Sequence, residues 1–131
     1  MNRRVLIVDD EPNIVTSLEF LMRGDDYEVR VARDGEEALQ LAESFRPDLV
    51  LLDVMMPQRS GFEVCRKIRE NAVLGDVKIV MLTAKGRDLE KEKGLDLGAN
   101  AYVTKPFSTK ELMNTVRGLL PRSERGDPVR R

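Results

Sequence analysis

The chain has 131 residues, 41% of them hydrophobic and 34% charged, with a net charge of −1 at pH 7. That is the size and make-up of one globular domain with its own core, and because no apolar run exceeds four residues, a helix spanning a bilayer is excluded. One cysteine, Cys65, and no histidine exclude internal disulfides, His-ligated zinc, Ser-His-Asp and Cys-His catalysis, and any phosphohistidine relay within this chain.

The charge is unevenly spread. The body is slightly acidic, whereas the last eleven residues carry four Arg against Glu124 and Asp127. No clustered basic face calls for nucleic acid. Met1–Arg4 leads straight into Val5-Leu6-Ile7-Val8, leaving no room for a signal-peptide core, so a cytoplasmic location is expected, with no membrane association.

Val5–Val8 is a continuous apolar run, as in a strand buried on both faces. The first helix follows, with Pro12 in its first turn and Ile14, Leu18, Leu21 and Met22 on one face. Tyr27, Val29 and Val31 alternate with Glu28 and Arg30 as an edge strand would. A second helix opens after Asp34-Gly35 and aligns Ala38, Leu39, Ala42 and Phe45. Leu49–Leu52 is the third strand, and a third helix from Ser60-Gly61 carries Val64, Cys65 and Ile68. Ile79–Leu82 is the fourth strand. The helix expected over 87–97 is weak: Leu89, Leu95 and Leu97 form no clean stripe, and Gly94 costs ~1 kcal/mol relative to Ala. Low local stability there marks an element suited to moving. Ala101-Tyr102-Val103 is a second edge strand. Ser108-Thr109-Lys110-Glu111 is a capping box that opens a helix with Leu112, Met113, Val116, Leu119 and Leu120 on one face.

Five strands alternating with five helices predict an α/β fold, (βα)5 and flavodoxin-like, with a five-stranded parallel sheet in order 2-1-3-4-5 and helices on both faces. The domain should occupy residues 1–120. Residues 121–131 read as a charged flexible tail or a truncated linker.

Ligands of such sheets bind beyond the carboxyl ends of the strands. There the sequence places Asp9-Asp10-Glu11, Asp53, Thr83 and Lys105-Pro106. Clustered carboxylates repel one another unless a cation compensates, and oxygen ligands on central strands suit Mg²⁺. A metal beside a carboxylate nucleophile, faced by an amine and a hydroxyl, is the equipment for phosphoryl transfer. Each residue alone has a plainer reading. Asp10 could cap the first helix, Asp53 could be a loop acid, and Lys105 a surface lysine. Tyr102 could simply pack on a neighbouring helix. Cys65 reads as core, Met55-Met56 as loop packing, and the alternation of Glu90, Lys91, Glu92 and Lys93 as a solvated face.

Taken together, Val5-Leu6-Ile7-Val8-Asp9-Asp10-Glu11, Leu51-Leu52-Asp53-Val54-Met55-Met56-Pro57, Met81-Leu82-Thr83-Ala84 and Tyr102-Val103-Thr104-Lys105-Pro106-Phe107 resemble the response-regulator receiver domain of two-component signalling over about residues 3–120. The resemblance implies a phosphorylation-activated switch. Asp53 would be the phosphoacceptor, served by a histidine kinase or phosphotransfer protein. Asp10, Asp53 and the Met55 carbonyl would hold Mg²⁺, with Asp9 acting through water. Thr83 and Lys105 would bind the phosphoryl oxygens, and Thr83 with Tyr102 would form the switch, Tyr102 swinging inward. A cis Lys105–Pro106 bond is also implied. The resemblance further implies that the chain is no enzyme in the ordinary sense, assisting only its own phosphorylation and dephosphorylation.

Two positions depart from the common family pattern. Gln58-Arg59-Ser60 stands where Gly-Met-Asp is frequent, and Asn100-Ala101 where two acids are frequent. Both are expected on surfaces that face partners. An aspartyl phosphatase would carry a second aspartate two residues after the first, where Met55 stands here, and a degenerate interaction module would have lost one of the five site residues. The output would pass to a downstream protein target or an excised effector domain, with phosphorylation-dependent dimerisation open; the balance leans to a stand-alone receiver.

Overall fold

The computed structural model describes residues 3–56, 60–84 and 88–121. The elements are β1 (Arg4–Val8), α1 (Pro12–Gly24), β2 (Glu28–Ala32), α2 (Gly35–Phe45), β3 (Leu49–Asp53), α3 (Gly61–Glu70), a single 3-10 turn (Ala72–Leu74), β4 (Lys78–Ala84), α4 (Asp88–Asp96), β5 (Ala101–Lys105) and α5 (Thr109–Leu119). All neighbouring strands pair in parallel, in the order β2-β1-β3-β4-β5.

Side chains alternate across a strand, so each apolar run feeds two cores. Leu6, Val8, Val50, Leu52, Ile79 and Met81 meet Ala38 and Ala42 of α2 and Val64, Cys65 and Ile68 of α3. Val5, Ile7, Leu49, Leu51, Val80 and Leu82 meet Leu18 and Met22 of α1 and Leu112 and Val116 of α5 on the other face. Burial of each such side chain contributes ~1.5–3 kcal/mol, which is why the three central strands need no polar alternation.

Local chemistry sets most helix starts. Asp34, Ser60 and Ser108 each accept a hydrogen bond from the backbone N–H three residues on, capping α2, α3 and α5. Asp10 does not cap α1; its N-cap residue is Glu11, whose side chain makes no cap bond.

Several boundaries differ from the expectation. Tyr27 lies before β2 rather than in it, buried, with its hydroxyl donating to the Leu120 carbonyl. On α1 Val15 is fully buried beside Leu18 and Met22, an inward position that the stripe through Ile14 overlooked. Thr83 and Ala84 belong to β4 itself. Backbone pairing to β5, as in Thr83↔Thr104, carries the strand past its apolar run.

The α4 helix is as weakly amphipathic as expected: Leu89 is 81% and Leu95 44% exposed. Gly94 turns out to have a use there. A Cβ built on it would stand 3.2 Å from Met81 Cγ, so its bare backbone lets α4 lie close on β4. The two Lys side chains expected on a solvated face also have work. Lys93 Nζ sits 4.6 Å from the centre of the Phe62 ring and Lys91 Nζ 4.8 Å from that of Tyr102.

Candidate phosphoacceptor site

The carboxyl ends of β1, β3, β4 and β5 deliver the site. Asp9 follows β1 directly and is fully buried, its N–H bonded to the Ala32 carbonyl of β2. Asp53 closes β3, paired in register with Leu82, so that Thr83 lies one residue beyond it on the neighbouring strand. Lys105 closes β5, and its bond to Pro106 is cis.

These ends converge. Lys105 Nζ lies 2.8 Å from Asp9 Oδ2, 3.0 Å from Glu11 Oε1 and 3.4 Å from Asp53 Oδ1. One carboxylate oxygen each from Asp9, Asp10 and Asp53 falls within a 4.8 Å cluster, with Asp9 and Asp53 buried and Asp10 exposed. Backbone donors fix the acids: Glu11 N–H donates to Asp9 Oδ1 at 2.9 Å and Met55 N–H to Asp53 Oδ1 at 3.1 Å.

Three carboxylates, of Asp9, Glu11 and Asp53, thus share one ammonium, with Asp10 beside two of them. Burial, and after it the Asp9 charge, pushes the Asp53 carboxyl up to about 6, against the opposing pull of Lys105 and the Met55 N–H. For Lys105, burial works downward, but hydrogen bonds to Asp9 and Glu11 and the charges of Asp53 and Asp9 outweigh it and hold the ammonium on.

Two buried atoms are under-used. Asp9 Oδ2 has no well-aligned hydrogen bond beyond its ion pair to Lys105, and Thr83 Oγ1 has no partner among the described residues. Such atoms are costly in a folded interior and mark places where a ligand completes the structure. An all-oxygen donor set with one solvent-facing carboxylate fits Mg²⁺, which keeps several waters and takes one or two carboxylates.

Asp9, Asp10, Asp53 and Lys105 are therefore brought together, Met55 joins through its backbone, and Thr83 stands beside them with a buried hydroxyl. Tyr102 is not in the pocket: it is 39% exposed and turned toward α4 under Lys91. Two residues were given no role by the sequence. Glu11 appears only as the third acid of its motif. Gly61 appears only as a helix start, yet a Cβ there would come within 2.2 Å of the Asp53 carbonyl oxygen. Its N–H bonds the Val54 carbonyl at 2.9 Å, so only glycine lets α3 begin directly behind the loop that follows Asp53.

The sequence model of the response regulator receiver domain matches residues 5–117. This chain belongs to the response regulator receiver family. It is 47% identical over 128 residues to the alkaline phosphatase synthesis transcriptional regulatory protein PhoP of Bacillus subtilis, an alignment covering 98% of this chain and 52% of PhoP. Among solved structures it resembles the chemotaxis protein CheY4 of Vibrio cholerae at a TM-score of 0.86 and 33% identity, covering 92% of this chain and all of that one. It also resembles the receiver domain of the sensor histidine kinase PA1611 of Pseudomonas aeruginosa, at a TM-score of 0.82 and 32% identity, covering 91% and 98% of the two chains. The latter carries a magnesium ion in its active site cleft.

Receiver domains serve phosphorylation-driven signalling, and they act as phosphoacceptors rather than as enzymes of the ordinary kind. This receiver spans about half the length of PhoP. Among its described residues no helix is long and apolar enough to cross a membrane.

Two of the described positions that depart from the family pattern, Ser60 and Asn100, are exposed, and both also make structural hydrogen bonds. Ser60 caps α3. Asn100 Oδ1 accepts from both Arg69 Nη2 and the Ile79 N–H at 2.8 Å, which ties the start of β5 to α3 and β4. Gln58 and Arg59 lie outside the described residues, as does the tail from residue 122.

Proposed function

We propose that Asp53 takes the phosphoryl group of a phosphohistidine on a partner kinase or phosphotransfer protein. A carboxylate oxygen forms the new P–O bond as the P–N bond breaks, and the proton needed by the departing imidazole comes from the partner's side or from water. The observation that carries this reading is the convergence of a buried Asp53, the Lys105 ammonium 3.4 Å away and the unpartnered Thr83 hydroxyl on adjacent strand ends. Lys105 neutralises charge on the phosphoryl oxygens and Thr83 donates a hydrogen bond to one of them. Asp10, Asp53 and the Met55 carbonyl would hold Mg²⁺, with Asp9 acting through water, and the ion would supply the remaining charge neutralisation. Hydrolysis of the same acyl phosphate by water would reset the domain.

The receiver unit is residues 1–120, followed by a linker or tail. Movement of Thr83 toward the phosphoryl group opens the room into which Tyr102 turns, and α4, β5 and α5 form the face that a partner reads. That partner is a downstream protein or an effector domain on a longer chain, as the length of PhoP suggests, and exposed Leu89, Leu95 and Tyr102 suit a phosphorylation-dependent dimer. The setting is the cytoplasm, where such kinases present their phosphohistidine.

The test is intact mass after incubation with Mg²⁺ and acetyl phosphate. Wild type should gain one phosphoryl group. Asp53→Asn, or wild type in excess chelator, should gain none; equal labelling of Asp53→Asn would sink the assignment.

A further inference from the structure

We propose that Glu11 is a positioning residue for Lys105: it grips the ammonium in the resting domain and yields it when phosphoryl oxygens arrive. The inference rests on the reading of Asp53 as phosphoacceptor and adds the residue that regulates access to its partner cation.

Lys105 is shared unequally. Its two nearest oxygens belong to Asp9 and Glu11, at 2.8 and 3.0 Å, and the acceptor carboxylate is the farthest at 3.4 Å. The resting ammonium is therefore drawn to the β1–α1 corner, away from the atom that will carry the phosphoryl group. Asp9 organises this corner from both sides, accepting the Glu11 N–H on Oδ1 and pairing with Lys105 through Oδ2.

Glu11 gives up a local role to do this. It is the N-cap residue of α1, yet its side chain caps nothing, whereas Asp34, Ser60 and Ser108 all cap their helices. Its carboxylate instead crosses 94 positions of sequence to Lys105. A local rule broken at a site is where a functional demand has prevailed.

The two grips also differ in how readily they release. The Asp9 side chain is fully buried, and losing its cation would strand a desolvated charge. The Glu11 side chain is 59% exposed, so water takes over its solvation when Lys105 leaves, and such exposed pairs are weak. Glu11 is the half of the grip that lets go.

Two variants separate a grip from a general field. Glu11→Gln removes the charge, whereas Glu11→Asp keeps it but is one methylene too short to reach and is a good N-cap for α1. With Mg²⁺ present, beryllofluoride affinity is measured by calorimetry. In metal-free protein, the rate at which acetic anhydride modifies Lys105 is followed by peptide mass. Both variants should bind beryllofluoride about 1.5-fold to fivefold tighter than wild type, the range set by an exposed ion pair, and both should show faster Lys105 modification. If Glu11→Asp matches wild type while Glu11→Gln alone shifts, the effect is charge at a distance and the grip is wrong. No change in either variant refutes it equally. Wild type that binds no beryllofluoride would instead overturn the Asp53 reading, while the metal-free modification rates still decide the grip.

Discussion

Two helices packed side by side on the same face of the sheet are held in opposite ways. α3 buries Val64, Cys65 and Ile68 in the core beneath it and is capped by Ser60. α4 leaves Leu89 and Leu95 in solvent and has no stripe to bury. It is held by the close approach of Gly94 to Met81, by two ammonium–ring contacts, and by the chain just after its last turn. There Arg69 of α3 donates to the Gly98 carbonyl and to Asn100 Oδ1, both at 2.8 Å, and it also donates to the Val77 carbonyl before β4 at 2.7 Å. Apolar burial is non-directional and strong in sum, whereas a few polar and cation–π contacts are directional and cheap to exchange. α3 thus forms a firm backing for the loop after Asp53, and α4, following the strand that carries Thr83, is the more lightly held of the two.

The sharpest way to break this comparison is to truncate one apolar side chain on each helix. Ile68→Ala should cost about 2–5 kcal/mol of unfolding free energy in urea, and Leu95→Ala should stay within about 0.5 kcal/mol of wild type. Equal losses would mean that α4 is part of the core after all.

The next effect concerns the pocket that α3 backs. The folded-state value of Asp53, about 6, lies above its ordinary 3.8, so the folded protein holds this proton more tightly than the unfolded chain does. Stability from this group is complete below pH 3.8 and is lost as pH rises toward 6. Without metal, Asp53→Asn should therefore be more stable than wild type by about 1–3 kcal/mol at pH 7, and the gap should close near pH 4. Thermal melts in chelator across that range check it, and a gap that widens on acidification would mean that the Asp53 carboxyl is lowered on folding, not raised. Mg²⁺ should raise the melting temperature of wild type more than that of the variant.

The smallest effect sharpens the picture at the far end of α4. Arg69→Gln removes charged donors from four acceptors, the carbonyls of Gly75, Val77 and Gly98 and Asn100 Oδ1, and should cost about 1–2 kcal/mol. Its specific mark is faster amide hydrogen exchange over residues 97–100, where Leu97, Gly98 and Ala99 hold the last helical hydrogen bonds, with the amides of α3 unaffected. Exchange that rises equally in both helices would show that Arg69 supports the domain as a whole rather than anchoring α4.

Much of this was legible in the residues. Continuous apolar runs of four residues suit strands covered on both faces, and three such runs with one alternating and one short segment suit the central and edge positions of a parallel sheet. Ser60, Ser108 and Asp34 announce helix starts because a side-chain oxygen beside free N–H groups acts within three residues. The acids, hydroxyl and amine of the site were visible for a related reason, since each stands where an apolar strand ends.

What stayed hidden depends on contacts between distant residues. Asn100 reads as a surface departure from the family pattern, yet its amide oxygen is spent on Arg69 and Ile79. Gly61 matters because of what stands 2.2 Å from its missing Cβ, and Glu11 because Lys105 arrives from β5. The sequence by itself determined the order of the elements, the two buried faces and the set of groups delivered to one end of the sheet, because periodicity and capping are short-range effects. Only the tertiary structure decided how the Lys105 ammonium is divided among Asp9, Glu11 and Asp53 and how lightly α4 is held. Those depend on distances between residues tens of positions apart, which folding alone brings together.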